Sequence, residues 1–333
     1  MTDRAANPQL VAQAHGLLAS RTRWSVLEIA FWLVALASIF LLQSKHLILT
    51  EIAILGLFAV SLDLILGYAG IVSLGHAAFF GLGAYAAGLF AKFVTGDPLS
   101  GLVLAMLVAG ALGFVTSFLV LRGSDLTRLM VTLAVALVLH EVANALPDWT
   151  GGADGLQGMT VGPVLGTFDF DLYGRTAYAY SLTTLFVLFL LARLVVRSPL
   201  GLSLMAIRRN PLRAAALGVP VHRRLIAAYT LGAAYAGAAG ALLAQTTGYV
   251  SLDVLEFQRS ADVLLTLITG GTGWLYGGIA GAIAFKILQD VLSSTSPQFW
   301  MFWMGIFLVV LALVGRERLT TGARGLVARV MRS

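Results

Sequence analysis

Apolar runs of about twenty residues recur along almost the whole chain, at 24–42, 47–66, 76–95, 99–121, 126–146, 177–196, 224–246, 258–273, 275–292 and 299–315. A helix needs about that many residues to cross the ~30 Å hydrocarbon core of a bilayer. Inside lipid the backbone must satisfy its own N–H and C=O groups, which a helix does internally. Composition agrees: 59% of the 333 residues are hydrophobic and 11% are charged, against about 25% charged in ordinary soluble domains. The expected fold is all-α, a polytopic transmembrane helix bundle of about ten spans. The run 258–273 contains Arg259, Asp262 and a Gly270–Gly271 break, so it reads either as a short helix or as a re-entrant segment. Polar and mixed residues precede the first run, and Ala35 and Ala37 lie inside it, where cleavage would not occur. The first run therefore reads as an uncleaved helix.

Charge sets an orientation. Arg4, Arg21 and Arg23 precede the first run, and Arg197, Arg208, Arg209, Arg213, Arg223 and Arg224 crowd one loop. Arginines recur from Arg316 to Arg332, whereas 147–175 carries only Arg175. The positive-inside rule puts both termini and the 197–224 loop in the cytoplasm and 147–175 outside. Two cytoplasmic ends require an even number of crossings, which ten satisfies. The chain then divides into a cytoplasmic segment 1–23, a membrane domain 24–315 and a basic cytoplasmic tail 316–333. Topology accounts for the net charge of +6, so nucleic acid is not an expected partner, whereas membrane lipid is.

Glycine is abundant inside the apolar runs. Residues 67–90 read GYAGIVSLGHAAFFGLGAYAAGLF, a stretch that would make a weak soluble helix at roughly 1 kcal/mol lost per Gly. In lipid, small residues instead let helix backbones approach one another. Ala77, Gly81, Ala84 and Gly88 form one stripe, Gly232, Ala236 and Gly240 a second, and Gly273, Gly277 and Gly281 a third. Each is expected either to pack the bundle or to line a path that opens, and the recurrence in two halves hints at an internal repeat.

Several chemistries are excluded. Lys45, Lys92 and Lys286 are the only lysines and none follows a glycine, so the chain has no phosphate-cradling Walker A loop. It has no cysteine, and its five histidines are scattered, which offers no metal site. Ser73 and His76 are close in sequence, but nothing supplies the oxyanion donors of a protease. No catalytic residue and no cofactor is expected. The Gly-rich 150–158 segment reads as a flexible outer loop or gate element.

Ionisable residues within apolar runs are costly and draw attention: Asp63, His76, His140, Glu141, Asp262, Lys286 and Asp290. Lys286 and Asp290 are spaced to pair on one helix face. His76 follows Gly75 near the cytoplasmic end of its span and reads as a packing histidine. Residues 198–225 carry no acidic residue. There 204–217 is expected to form a short amphipathic helix with Ala214, Ala215 and Ala216 exposed. It either lies on anionic lipid or docks a cytoplasmic partner.

Three stretches, LDLILGYAGIVSLGHAAFFGLGAYAAGLF, AIRRNPLRAAALGVPVHR and LITGGTGWLYGGIAGAIAFKIL, resemble the permease subunits of branched-chain amino acid ABC importers of the LivM type, over roughly residues 47 to 315. The resemblance implies a non-enzymatic helical permease of the bacterial inner membrane working by alternating access. Its implied partners are a homologous permease subunit in a heterodimer, two cytoplasmic ATPase subunits and a periplasmic binding protein. It maps Ile207, Arg208, Arg209, Ala214, Ala215, Ala216 and Gly218 onto the ATPase-contacting loop. Arg209 and Ala216 stand where such permeases often carry acids, which removes a salt bridge from that contact. Related permeases carry urea, short amides or aromatic acids, and an ion-coupled transporter using Asp63, Asp262 and Asp290 is the competing reading.

Overall fold

The computed structural model describes residues 25–171, 173–299, 302–307 and 309. The segments 1–23 and 316–333 and most of the run 299–315 lie outside the described residues, and with them the expected position of both termini. Among the described residues there are helices, turns and two isolated β-bridges, with no strand.

Nine of the apolar runs coincide with helices. We name them α1 (Val26–Leu41), α2 (His46–Leu62), α3 (Ala77–Phe93), α4 (Pro98–Val120), α5 (Asp125–Ala145) and α6 (Arg175–Arg197). After α6 come two short helices, α7 (Pro199–Arg209) and α8 (Pro211–Ala216), then α9 (Val221–Thr247), α10 (Phe257–Gly270) and α11 (Leu275–Thr295). Among the described residues six helical stretches are long and apolar enough to cross a membrane: Gln43–Tyr68, which contains α2, and α4, α5, α6, α9 and α11. With 17 residues α3 extends about 26 Å, and with 14 residues α10 extends about 21 Å, both below the ~30 Å hydrocarbon thickness. The 258–273 run is thus a short helix.

Local chemistry explains the helix starts. Ser25 caps α1 in a capping box with Glu28. Asp97 caps α4 by accepting from Ser100 N at 2.9 Å, with Pro98 in the first turn, where its missing N–H costs nothing. Hydrogen bonding to Ser100 holds the Asp97 carboxyl below the usual carboxylate range. The same grammar corrects the expected single helix over 204–217. Asn210 is extended (φ −161°, ψ 102°) and its side chain accepts from Arg213 N at 3.0 Å. A residue before proline avoids the helical region, so Asn210–Pro211 ends α7 and caps α8, just as Ser198–Pro199 starts α7.

The helices fall into two halves with one plan. In the first, α2 ends in a π-helical stretch, Asp63–Tyr68. The chain then runs without helix through 69–76, turns into the short α3, and returns in α4. In the second, α9 ends at left-handed Gly248 (φ 66°), non-α backbone follows through 256, then comes the short α10, and the chain returns in α11. Packing follows the same exchange: α2 packs on α11 and α9 packs on α4, α2 and α9 pack on each other, and each short helix packs on the returning helix of its own half. The internal repeat hinted at by the glycines is therefore present in the backbone. α9 runs from Val221, beside α8, to Thr247 at the opposite end of the bundle. We call the end carrying α7 and α8 the near face and the other the far face.

The expected glycine stripes are partly redrawn. Ala77, Gly81, Ala84 and Gly88 are all buried on α3, but they meet two neighbours: Gly81 faces Leu255 and Val254, Gly88 faces Leu156 and Met159, and Ala84 meets Gly240 of α9. α3 also approaches α9 closely outside the stripe, at Gly83 on Gly237 and at the Phe80 carbonyl on Gly240. Gly277 and Gly281 press against the backbone of α10 and the turn after it, at Gly270–Gly271 and Thr266. Gly273 is not on that helix. It lies in the preceding turn at φ +79°, a left-handed conformation.

Candidate functional site

One helix, α2, carries polar contacts at three depths. At the far face a cleft of about 490 Å³ opens between α2, α9, α10 and α11. Ile54, Leu55, Phe58, Phe80, Leu243 and Phe285 form its apolar walls, and Glu51, Arg259, Asp262, Lys286 and Gln289 supply its polar groups. Lys286 Nζ donates to Glu51 Oε2 at 2.8 Å, and Gln258 Nε2 donates to Asp262 Oδ1 at 3.1 Å. The expected Lys286–Asp290 pair does not form. Lys286 reaches across to α2 instead, and Asp290 meets Lys45 at 4.0 Å. Facing helices in a tight bundle offer a partner as near as the next turn of the same helix.

At middle depth the Phe58 and Phe80 rings meet with centroids 4.5 Å apart, and His76 stacks on Phe58 at 5.4 Å and 7°. Ser61 donates its hydroxyl proton to Phe58 O at 2.6 Å, so at the 2.8 Å Ser61–His76 contact the ring Nε2–H is the donor. His76 is fully buried. It sits where the unwound chain re-enters helix deep in the bundle. Ala77 N, a free donor at the start of α3, is satisfied by Ser260 Oγ of α10 at 2.9 Å. Gly75 lies against the Thr132 carbonyl of α5 so closely that a β-carbon would collide with it.

At the near face the two halves meet the loop. Asp63 Oδ1 accepts from Gly273 N at 2.6 Å, tying the end of α2 to the turn before α11. Gly67 sits between them, since any side chain there would strike the Asp63 carboxylate. Arg208 of α7 donates through Nη1 to Gly67 O, and its aliphatic stem covers Gly70, which is left-handed at φ +74°. A π-helical stretch leaves irregular backbone for such contacts and recurs at functional positions. One arginine thus joins the 198–220 segment to both halves of the bundle.

The rest of that segment divides by exposure. Ile207 and Ala214 are buried, while Arg209, Ala215, Ala216 and Gly218 are exposed. Ala214 therefore anchors α8 to the protein, correcting the expected exposure of all three alanines. The 150–158 segment is fastened rather than free: Leu156 N donates to Val250 O at 2.7 Å, Val250 N to Leu156 O at 3.2 Å, and Tyr249 OH to Asp154 O at 3.1 Å. His140 and Glu141 lie on α5 away from both the cleft and the near-face contacts.

Sequence reasoning missed several groups. Glu51 stands near the end of its run, where a charge looks like a boundary, and Arg259 was read only as interrupting its run. Arg193, buried in α6, bridges Glu28 of α1 at 2.8 Å. Gln245 accepts from Tyr180 OH at 2.9 Å and donates to Pro98 O at 2.8 Å. Each was visible as a polar residue in or beside an apolar run, but its partner lies in a distant one. Among the described residues no group of three or more His, Cys, Asp or Glu could hold a metal.

No solved structure matches the chain. The chain is 28% identical over 282 residues to the high-affinity branched-chain amino acid transport system permease protein LivM of Escherichia coli (strain K12), and equally to that of Salmonella typhimurium (strain LT2). Each match covers 78% of this chain and 65% of the relative, so the chain spans about two thirds of the length of these curated relatives. Residues 46–314, from the first turn of α2 past the end of α11, match the model of one family, and the chain belongs to it: branched-chain amino acid transport system, permease component.

Proposed function

We propose that this chain is the membrane-spanning permease subunit of an ATP-binding-cassette importer, carrying branched-chain or related hydrophobic amino acids across a bacterial inner membrane by alternating access. The observation that carries the reading, beside family membership, is the Arg208 contact. It gives a partner that moves α7 a direct grip on the irregular end of α2 and, through the Asp63–Gly273 hydrogen bond, a link to the turn before α11. ATP-driven closure of two cytoplasmic ATPase subunits would then tilt both halves together. The near face is cytoplasmic in this reading, as are both termini, and the far face receives a periplasmic binding protein. A homologous permease completes the pair, and α5, whose apolar residues Met130, Leu137 and Val138 are exposed, faces lipid or that subunit. The chain performs no ATP hydrolysis itself.

The experiment is uptake into proteoliposomes holding the assembled complex. Leucine uptake that needs ATP and the binding protein and resists ionophores supports the importer. Uptake without ATP that ionophores abolish overturns it in favour of an ion-coupled transporter. ATP-dependent uptake of urea, a short amide or an aromatic acid, with none of leucine, overturns the substrate assignment alone.

A further inference from the structure

We propose that the far-face cleft is a transient binding site for a zwitterionic amino acid on its way through the bundle. The inference rests on the importer reading above and adds the site and its chemistry. Four charges line the cleft, Glu51, Asp262, Arg259 and Lys286, two of each sign. A wall of balanced charge favours a ligand with one positive and one negative group and no net charge, and disfavours a lone cation or anion.

The charges are not equally engaged. Lys286 is paired with Glu51 at 2.8 Å, and Asp262 holds Gln258. Among the described residues Arg259 has no salt bridge and no side-chain hydrogen bond, although it is partly buried beside Asp262. A guanidinium left open in a mostly apolar cleft is suited to a carboxylate, which it can hold with two parallel hydrogen bonds. Gln289 Oε1 also lines the cleft, is buried and has no hydrogen-bond partner among the described residues. A buried acceptor of that kind is costly until a donor reaches it. The ammonium of an amino acid supplies that donor, with Asp262 and Glu51 as nearby counter-charges.

The apolar walls complete the match. Ile54, Leu55, Leu243 and Phe285 surround the space, and the Phe58–Phe80 pair stands at its inner end with His76 behind it. A volume of about 490 Å³ lies within the range of roughly 300–1,000 Å³ for small-molecule sites. A branched aliphatic side chain would rest on these walls while the polar end faces Arg259 and Gln289. The aromatic pair would keep it from passing until the halves move.

The test is concentration-dependent leucine and alanine uptake by the complete complex at saturating binding protein, with recovery of the four-subunit complex as the folding control. Arg259→Gln is expected to lower leucine uptake about 10-fold, the loss that goes with one charge-assisted contact, and Arg259→Lys to restore a large part of it. Gln289→Leu should give a smaller loss. Leu55→Trp fills the apolar wall and is expected to lower leucine uptake more than alanine uptake. Wild-type leucine uptake in both Arg259→Gln and Leu55→Trp, with an unchanged leucine-to-alanine ratio, overturns the site while leaving the importer intact. If Arg259→Gln does not assemble, the ratio in Leu55→Trp decides. A wild-type complex that takes up no amino acid overturns the importer reading first, so the two failures are distinct.

Discussion

Between α2 and α3 the chain passes through 69–76 with Ile71, Ser73 and His76 almost inaccessible; between α9 and α10 it passes through 248–256 with Gly248, Tyr249, Asp253 and Glu256 exposed. Both segments interrupt a long helix and precede a short one, at equivalent places in the repeat. The first lies against the near face, where Arg208 grips its start and Thr132 packs its end. The second descends from the far face, where its start is pinned to Leu156 and Asp154. Irregular backbone inside a membrane protein is tolerated where protein buries it or where it lines a water-filled cavity. The first junction is buried by protein, and the second carries exposed residues at the far face. The buried one is held by side chains reaching across helices, so a change at its anchor is felt in both halves. The open one is held by a two-residue bridge at its start and by Val254 and Leu255 packed on α3, with its exposed residues between them.

The largest effect expected from this contrast is on assembly. A β-carbon at Gly281 would run into the Thr266 carbonyl of α10, whereas one at Gly81 would meet the Leu255 side chain. Backbone cannot move aside without moving its helix, and overpacking costs about 1–3 kcal/mol. Gly281→Ala should therefore cut the yield of monodisperse protein at least about 10-fold. Gly81→Ala, opposite a flexible side chain in the open junction, should retain more than half. Size-exclusion yields in the same detergent compare them, and equal yields would mean that α10 and α11 do not depend on backbone contact.

Arg208→Ala is the next largest. It removes a charged hydrogen bond to Gly67 O and exposes Gly70, a loss of about 1.5–3 kcal/mol at the contact. In the reconstituted complex leucine uptake should fall about 10-fold or more while ATP is still hydrolysed, because the motor no longer pulls on α2. Arg209→Ala, at a neighbouring arginine with no side-chain hydrogen bond among the described residues, should behave nearly as wild type. Equal uptake in the two variants would mean that the near-face junction carries no coupling.

The contrast also measures what could be read in advance. Nine helices follow the apolar runs because run length and helix length answer to the same physics, burial in lipid. The break at Asn210 was missed although its pattern is in the sequence, since Asn210–Pro211 repeats the cap-and-proline pattern of Ser198–Pro199 and of Asp97–Pro98. The junctions were legible only as gaps between runs, at 67–75 and 247–257; hydropathy did not tell that the first is buried and the second partly exposed. Arg208 could be named as part of a contacting loop, but its inward grip on Gly67 depends on a π-helical stretch that no residue pattern announces. Lys286 was given a partner four residues away because sequence shows only neighbours; its actual partner is Glu51.

A third test separates the docked from the exposed face of α8. Ala214 is buried, and Ala215 and Ala216 are exposed. If a cytoplasmic ATPase receives this surface, Ala215→Trp should overfill the contact and lower substrate-stimulated ATP turnover about 5-fold, close to 1 kcal/mol. On anionic lipid alone the added ring would be accommodated at the interface and turnover would be unchanged. Arg209→Glu should weaken ATPase pull-down more at low salt than at high, because screening already removes part of an exposed attraction. Normal turnover and normal pull-down together would reject docking through α8.

The smallest effect belongs to the open junction. Tyr249→Phe removes only the phenolic donor to Asp154 O, an exposed contact at 3.1 Å. A neutral hydrogen bond is worth about 0.5–1.5 kcal/mol net, and water replaces this one at the surface. The Leu156–Val250 bridge remains and keeps the 150–158 segment over Gly88. Uptake should therefore change by less than about 2-fold, the low end of that range. Val250→Pro is the informative companion, since it deletes the N–H that donates to Leu156 O at 3.2 Å. If the bridge is what fastens the open junction, Val250→Pro should raise proteolytic nicking within 150–158 while Tyr249→Phe leaves it unchanged. Equal nicking in the two variants would mean that the tyrosine, and not the backbone pair, holds the far face together.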